Sequence, residues 1–246
     1  MKGTILAAIA SLASADLFIS DLVSEGYTSG TLFSSADNAI CTSGKGVDIS
    51  TALTLSDAQC LYTNAVHTVI ARAWHSSGTV DTAVCGSLKN AQSAGIAHRD
   101  VYMFPCPTCS ASAASQMSSM VSYLNANCGS AWTKWIWLDI EGSQYWTSSY
   151  ASNKTWYQNL LNACLATTGV TCGIYSSAVQ WQAIFGSTSY CYGQAQHMWY
   201  AHYDSVCSMS DYTTYGCWTT PFAKQYEGTH TACNIGVDSD YIPSWP

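Results

Sequence analysis

Eight short runs rich in β-branched and aromatic residues recur along the chain, at 46–50, 68–73, 100–104, 134–140, 171–175, 197–202, 222–226 and 236–241. Between the first six lie longer stretches with apolar positions at helical spacing, at 56–66, 82–95, 111–126, 153–167 and 177–185. Ser56 and Ser177 stand where N-caps belong, and Gly95 and Gly169 where a helix would end. Alternation of this kind predicts parallel strands joined by helical crossovers, hence an α/β sheet or barrel. The last three strands are separated only by loops rich in Tyr, Ser and Gly. Five βα units followed by three further strands would close as an incomplete barrel.

The N-terminus reads differently. Met1-Lys2-Gly3, an apolar run from Thr4 to Leu12 and Ala13-Ser14-Ala15 make a basic, apolar and small-residue sequence. That is the pattern of a secretory signal peptide cut after Ala15. Residues 16–45, rich in Ser, Gly, Thr and Asp, read as an extension or pro-segment, and 46–246 as one barrel domain. All twelve cysteines lie beyond the expected cut. An even number in a secreted chain implies a disulfide framework whose connectivity the spacing leaves open. Cys106-Pro-Thr-Cys109 has no second C-x-x-C and no paired histidines with it, so it reads as a disulfide rather than a redox or zinc motif. Asn153-Lys154-Thr155 is the one glycosylation sequon, and Asn153 is expected to begin a surface helix.

Charge narrows the partners. Eight Lys and Arg against fifteen Asp and Glu, net −7, argue against a nucleic acid, whose binding needs clustered cations. Beyond the N-terminus no apolar run reaches the roughly 18 residues that would read as a membrane span.

The carboxylates carry the candidate chemistry. Three glutamates exist, Glu25, Glu141 and Glu227, and Glu141 ends the most apolar strand, Trp135-Ile136-Trp137-Leu138-Asp139-Ile140-Glu141. Side chains two apart on a strand share a face, so Trp135, Trp137, Asp139 and Glu141 point one way, with the two carboxylates about 6.6 Å apart along the backbone. Ile136, Leu138 and Ile140 point the other way, toward the helices. The C-terminal end of a strand is where α/β barrels keep their active sites. A Glu against Trp rings and beside another carboxylate holds its proton toward neutrality, while its neighbour stays ionised to support positive charge. That division of labour suits glycoside hydrolysis. Asp48 on the first strand and Asp238 and Asp240 on the last would converge on the same mouth, with no Lys or Arg expected nearby.

At these residues the chain resembles glycoside hydrolase family 25, the lysozymes or N-acetylmuramidases. Gly46-Val47-Asp48-Ile49-Ser50 is similar to the family's opening strand, and Leu138-Asp139-Ile140-Glu141 to its D-x-E strand. Gly173-Ile174-Tyr175-Ser176 is similar to G-x-Y-S, Trp199-Tyr200-Ala201-His202-Tyr203 to W-x-A-x-Y, and Gln225-Tyr226 with Val237-Asp238 to the closing elements. Arg72-Ala73-Trp74-His75-Ser76 and Tyr102-Met103-Phe104-Pro105 resemble the secreted, cysteine-bearing eukaryotic branch.

The resemblance implies a modified TIM-like (β/α)5β3 barrel, α/β in class, single-domain and disulfide-stabilised. It implies cleavage of the β-1,4 bond between N-acetylmuramic acid and N-acetylglucosamine in bacterial peptidoglycan. A monomer is expected, with no cofactor, and the histidine spacing argues against a metal. Glu141 would be the general acid, Asp139 the neighbouring stabiliser, and Asp48 and Asp238 supporting acids. Tyr102, Tyr175, Tyr203, Gln225, Trp74 and Trp199 would bind substrate. Two departures stand out: Met103 replaces a histidine, and Lys224 replaces a tryptophan that would be a groove wall.

Other classes fit less well. A D-x-x-D-x-D-x-E chitinase needs Asp where Lys134 and Trp137 stand, the six histidines lack zinc-hydrolase spacing, and no G-x-S-x-G turn occurs. His202, near the mouth, reads as a hydrogen-bonded structural histidine. The alternative from another class is a non-catalytic glycan-binding or structural protein on the same scaffold, which has no need of both Asp139 and Glu141. A pI near 5.1 points to work in an acidic digestive or phagosomal lumen or a secreted digestive fluid.

Overall fold

The computed structural model describes residues 41–245. The expected signal peptide, and the expected extension up to residue 40, lie outside the described residues. In chain order the elements are β1 (Lys45–Ile49), α1 (Leu55–Thr63), β2 (Thr68–His75), β3 (Thr79–Val80), α2 (Val84–Ala94), β4 (His98–Met103) and α3 (Ala113–Asn127). They continue with β5 (Trp135–Asp139), α4 (Tyr150–Leu165), β6 (Thr171–Ser176), α5 (Ala178–Phe185), β7 (His197–Ala201), β8 (Ala223–Ala232) and β9 (Ile235–Tyr241).

Parallel pairing runs β1-β2-β4-β5-β6-β7-β8, and β9 lies antiparallel to both β8 and β1. The strand ring is therefore closed, and what is incomplete is the helical layer, which stops after α5. The two-residue β3, not foreseen from the sequence, folds back on the end of β2 through Trp74 and Val80.

Period-two alternation divides the core as the strand pattern predicts. Ile136, Leu138 and Ile140 pack between barrel and helices with Val69, Val101 and Ile174. Trp137 faces inward with Ile70, Tyr102, Tyr175 and Trp199. A side chain at Gly173 on β6 would come within 2.3 Å of the Trp137 ring, so the inner tryptophan fits only against a glycine.

Helix starts differ from expectation where a better cap was available. α1 is capped by Thr54, not Ser56: the Asp57 N–H donates to Thr54 Oγ1, which in turn donates to the Asp57 carboxylate at 2.5 Å. Ser177 does cap α5, accepting from the Gln180 N–H, and Gly95 closes α2 with φ +94°. Ser149 caps α4, three residues earlier than expected, which places Asn153 inside the first turn. There it is 2% exposed and its amide donates to the carbonyls of Thr147 and Ile184, so it does not begin a surface helix and its amide nitrogen is not open to a glycan.

All twelve cysteines pair: 41–207, 60–233, 85–128, 106–109, 164–172 and 191–217. Cys41 is tied to the β7–β8 loop, and Lys45 pairs with Tyr241.

Candidate active site

The ladder of β5 ends at Asp139, and the chain continues through Ile140, whose N–H donates to the Tyr175 carbonyl at 2.9 Å. Inward alternation then delivers Asp139 and Glu141 to the C-terminal mouth of the barrel. Asp139 is 4% exposed, and its buried Oδ1 has no hydrogen-bond partner. Glu141 is half-buried, and its charge acts on Asp139, Asp48, Tyr175 and Tyr203, which fixes its place in the same cluster.

Gln225 on β8 organises the floor. Its Nε2 donates to Asp48 Oδ2 at 2.6 Å and to Asp238 Oδ2 at 3.2 Å. Its Oε1 accepts from the hydroxyls of Tyr175 at 2.6 Å and Tyr203 at 2.7 Å. Asp48 and Asp238 are directly paired in register across β1 and β9, so closure of the barrel brings them together.

Burial dominates the electrostatics. It pushes Asp48 well above the usual carboxylate range, and Asp238 and Glu141 push further the same way against the Gln225 hydrogen bond. Burial lifts Asp238 to about 6. It also raises Asp139 strongly, helped by Glu141 and Asp48, while the guanidinium of Arg72 pulls in the opposite direction. In the unliganded protein desolvation disfavours the charge of Asp139, and the Arg72 guanidinium favours it. Deeper still, Asp240 is fully buried with Oδ1 accepting from Trp199 Nε1 at 2.9 Å. Asp100 accepts from Thr133 Oγ1 at 2.7 Å and Trp137 Nε1 at 3.2 Å, and burial raises it to about 7.

The structure brings together Glu141, Asp139, Asp48, Asp238, Tyr102, Tyr175, Tyr203 and Gln225. Trp199 lies inside the barrel but below the mouth, 2% exposed, packed 4.5 Å from the Tyr175 ring. It is a floor residue rather than a groove residue. Trp74 is not in the site. A bulge between Arg72 and Trp74 turns it to the outer core, where its Nε1 donates to Gln116 Oε1 on α3.

The same strand supplies a cation that the sequence reading did not expect. Arg72 is two residues beyond inward Ile70, donates to Asp81 Oδ2 and the Ser50 carbonyl, and lowers Asp139 by its charge. The signal was there in the i, i+2 spacing from Ile70.

Lys224 does not replace a groove wall. Its neighbours Ala223 and Gln225 face inward, so it faces out, fully buried, with Nζ on Asp204 Oδ2 at 2.6 Å and Asp211 Oδ1 at 3.0 Å. His202 completes that cluster through Asp211 at 2.5 Å, as a hydrogen-bonded structural histidine. Among the described residues His202, Asp204 and Asp211 form the one group with ligand-like spacing, and the cation they meet is the Lys224 ammonium.

Comparison with known proteins decides the family. Residues 39–226 match the family described as "Lysozyme-like protein 1". "Probable GH family 25 lysozyme 2" of Dictyostelium discoideum is 43% identical over 201 residues, covering 80% of this chain and 90% of that one. The chain belongs to the glycoside hydrolase family 25 lysozymes. "Probable GH family 25 lysozyme 5" of the same organism is 36% identical over 197 residues, 80% of this chain and 89% of that one. The bacterial lysozyme of Streptomyces coelicolor shares the fold at TM-score 0.62 and 22% identity, over 82% of this chain and 93% of that one. As a family 25 lysozyme the chain is a glycoside hydrolase, with the acid cluster at the barrel mouth.

Proposed function

We propose that this lysozyme hydrolyses the β-1,4 bond between N-acetylmuramic acid and N-acetylglucosamine in bacterial peptidoglycan, with Glu141 as general acid. The observation that carries the reading is the pairing of Glu141 with Asp139, whose buried Oδ1 has no partner in the protein. A buried acceptor without a donor costs about 1–3 kcal/mol, which a substrate group can recover.

Glu141 gives its proton to the glycosidic oxygen as the bond to C1 breaks, and the N-acetylglucosamine hydroxyl leaves. Positive charge then grows on C1 and the ring oxygen of N-acetylmuramic acid. A cation at that place favours the ionised form of Asp139 and is stabilised by it. Water supplies the hydroxyl to C1 and returns a proton to Glu141. Asp48 and Asp238, held by Gln225, support the cluster from the floor, and Tyr102, Tyr175 and Tyr203 line it. Asp139 and Glu141 on a single strand differ from the opposed carboxylates of most glycosidases, so the second carboxylate is assigned stabilisation rather than attack.

Six disulfides fit an oxidising compartment. The protein is assigned to a secreted fluid or an acidic digestive or phagosomal lumen, where raised carboxyl pKa values keep protons on the cluster and repulsion from an anionic wall falls. It acts there as a monomer.

The test is digestion of purified peptidoglycan from about pH 4 to 8, followed by borohydride reduction and mass spectrometry. Fragments ending in reduced N-acetylmuramic acid, formed fastest on the acid side, are the expected result. Fragments ending in reduced N-acetylglucosamine contradict the bond assigned. Binding to walls with no fragments at any pH supports a glycan-binding protein instead, and a rate still rising at pH 8 removes the acidic-compartment assignment.

A further inference from the structure

Glu141, read as the general acid, stands two residues beyond the end of β5. The residue before it, Ile140, is held at its carbonyl, which accepts from Ser176 Oγ at 2.7 Å. The next peptide unit, between Glu141 and Gly142, is held by two side chains. Trp146 Nε1 donates to the Glu141 carbonyl at 3.0 Å, and the Gly142 N–H donates to Gln180 Oε1 at 2.9 Å. One peptide plane thus has its acceptor and its donor fixed by residues from two different elements.

Both holders are themselves anchored. Trp146 is 5% exposed and packs edge-on against Trp156 and Phe185. Gln180 lies in the first turn of α5, its own N–H capped by Ser177 Oγ at 3.2 Å. Gly142 has φ +64°, and a Cβ there would stand 2.7 Å from the Tyr145 ring. The turn therefore requires glycine at 142, and the Tyr145 N–H closes it by donating to the Gly142 carbonyl at 2.8 Å. With Ile140 held through its N–H and carbonyl and the Glu141–Gly142 peptide held at both its groups, φ and ψ of Glu141 are fixed together, and with them the direction in which its Cβ leaves the chain relative to Asp139.

We infer that Trp146 and Gln180 are positioning residues for the Glu141 carboxyl, acting through the Glu141–Gly142 peptide. The inference rests on the reading of Glu141 as general acid. An acid misplaced by about 1 Å costs up to about 100-fold in rate, so loss of one of two clamps is expected to cost less than that.

Trp146→Phe keeps the ring and removes the donor; Gln180→Leu removes the acceptor, and Gln180→Glu retains one. For Trp146→Phe and Gln180→Leu, kcat on soluble peptidoglycan fragments is expected to fall about 5- to 30-fold with KM within twofold, and the alkaline limb of the kcat–pH profile to move. Gln180→Glu is expected to recover most of kcat at the acid optimum. In a Glu141→Gln background Trp146→Phe and Gln180→Leu should have no further effect on kcat, because the group they position is gone.

Wild-type kcat and pH profile in Gln180→Leu, with or without a lower Tm, would overturn the inference, and that holds even if Trp146→Phe does not fold. A full additional loss in the Glu141→Gln background would overturn it too. Glu141→Gln with wild-type rates would instead overturn the underlying assignment of the acid.

Discussion

The two ends of β5 are built from the same inward-facing positions and do opposite things. At the base Trp135 lies in an aromatic plug: it stacks on Phe222 at 5.3 Å and meets Trp245 edge-on at 4.8 Å, and Trp245 stacks on His98 at 4.2 Å. Two steps past Trp137, at the mouth, stands Asp139 with an oxygen that the protein leaves unpaired. The base is filled by rings, and the acid Asp100 among them is bonded by Trp137 Nε1 and Thr133 Oγ1. The mouth gathers acids whose charge burial opposes, and that is stability spent on a site. The lesson is that the strand's alternation builds core and chemistry alike, and position along it decides which.

The comparison can be broken first at the middle of the strand. Trp137→Ala should destabilise the fold by about 3–5 kcal/mol by emptying the barrel core, read as the midpoint of denaturant unfolding. A loss under about 1 kcal/mol would mean that the inner aromatic column is not a core.

Asp100 sharpens the claim that buried acids cost stability. Its folded pKa of about 7 lies above the ordinary 3.8, so its contribution is fully present below pH 4 and is lost as pH rises through 7. The loss is on the order of 4 kcal/mol by pH 8. Asp100→Asn should flatten the stability–pH curve between those limits. An unchanged slope would show that Asp100 is ionised throughout.

At the mouth the expected effects are on rate. Asp139→Asn should lower peptidoglycan hydrolysis about 100- to 1000-fold with little change in Tm, since it removes a charge that stabilises the cationic centre. Tyr203→Phe removes one of the two hydroxyls on Gln225 Oε1 and should cost about 3- to 10-fold, measured on the same substrate. Equal losses for the two variants would contradict the separation of stabilising acid from supporting floor.

Much of this was legible in the sequence. Strand order, inward and outward faces of β5 and the meeting of Asp48 with Asp238 follow from alternation and closure alone. What escaped was local. The bulge after Arg72 shifts the alternation by one, so Trp74 leaves the site while Arg72 stays near it. Lys224 looked like a lost groove wall because a motif position does not tell which way a side chain faces; the carboxylates of Asp204 and Asp211 lie outside the barrel. Asn153 looked exposed because its helix start was placed three residues late, and Ser149 supplied the better cap. Trp146 and Gln180 carry no motif at all, since their work is done on a backbone peptide.

The most direct test of the account measures peptidoglycan hydrolysis and thermal unfolding on one preparation of Glu141→Gln beside wild type. Gln keeps the shape and removes the proton, so the rate should fall by about two to four orders of magnitude. The Tm should hold or rise, because a like charge beside Asp139 and Asp48 has gone. A variant that cleaves within tenfold of wild type would contradict the central claim that the end of β5 carries the catalytic acid.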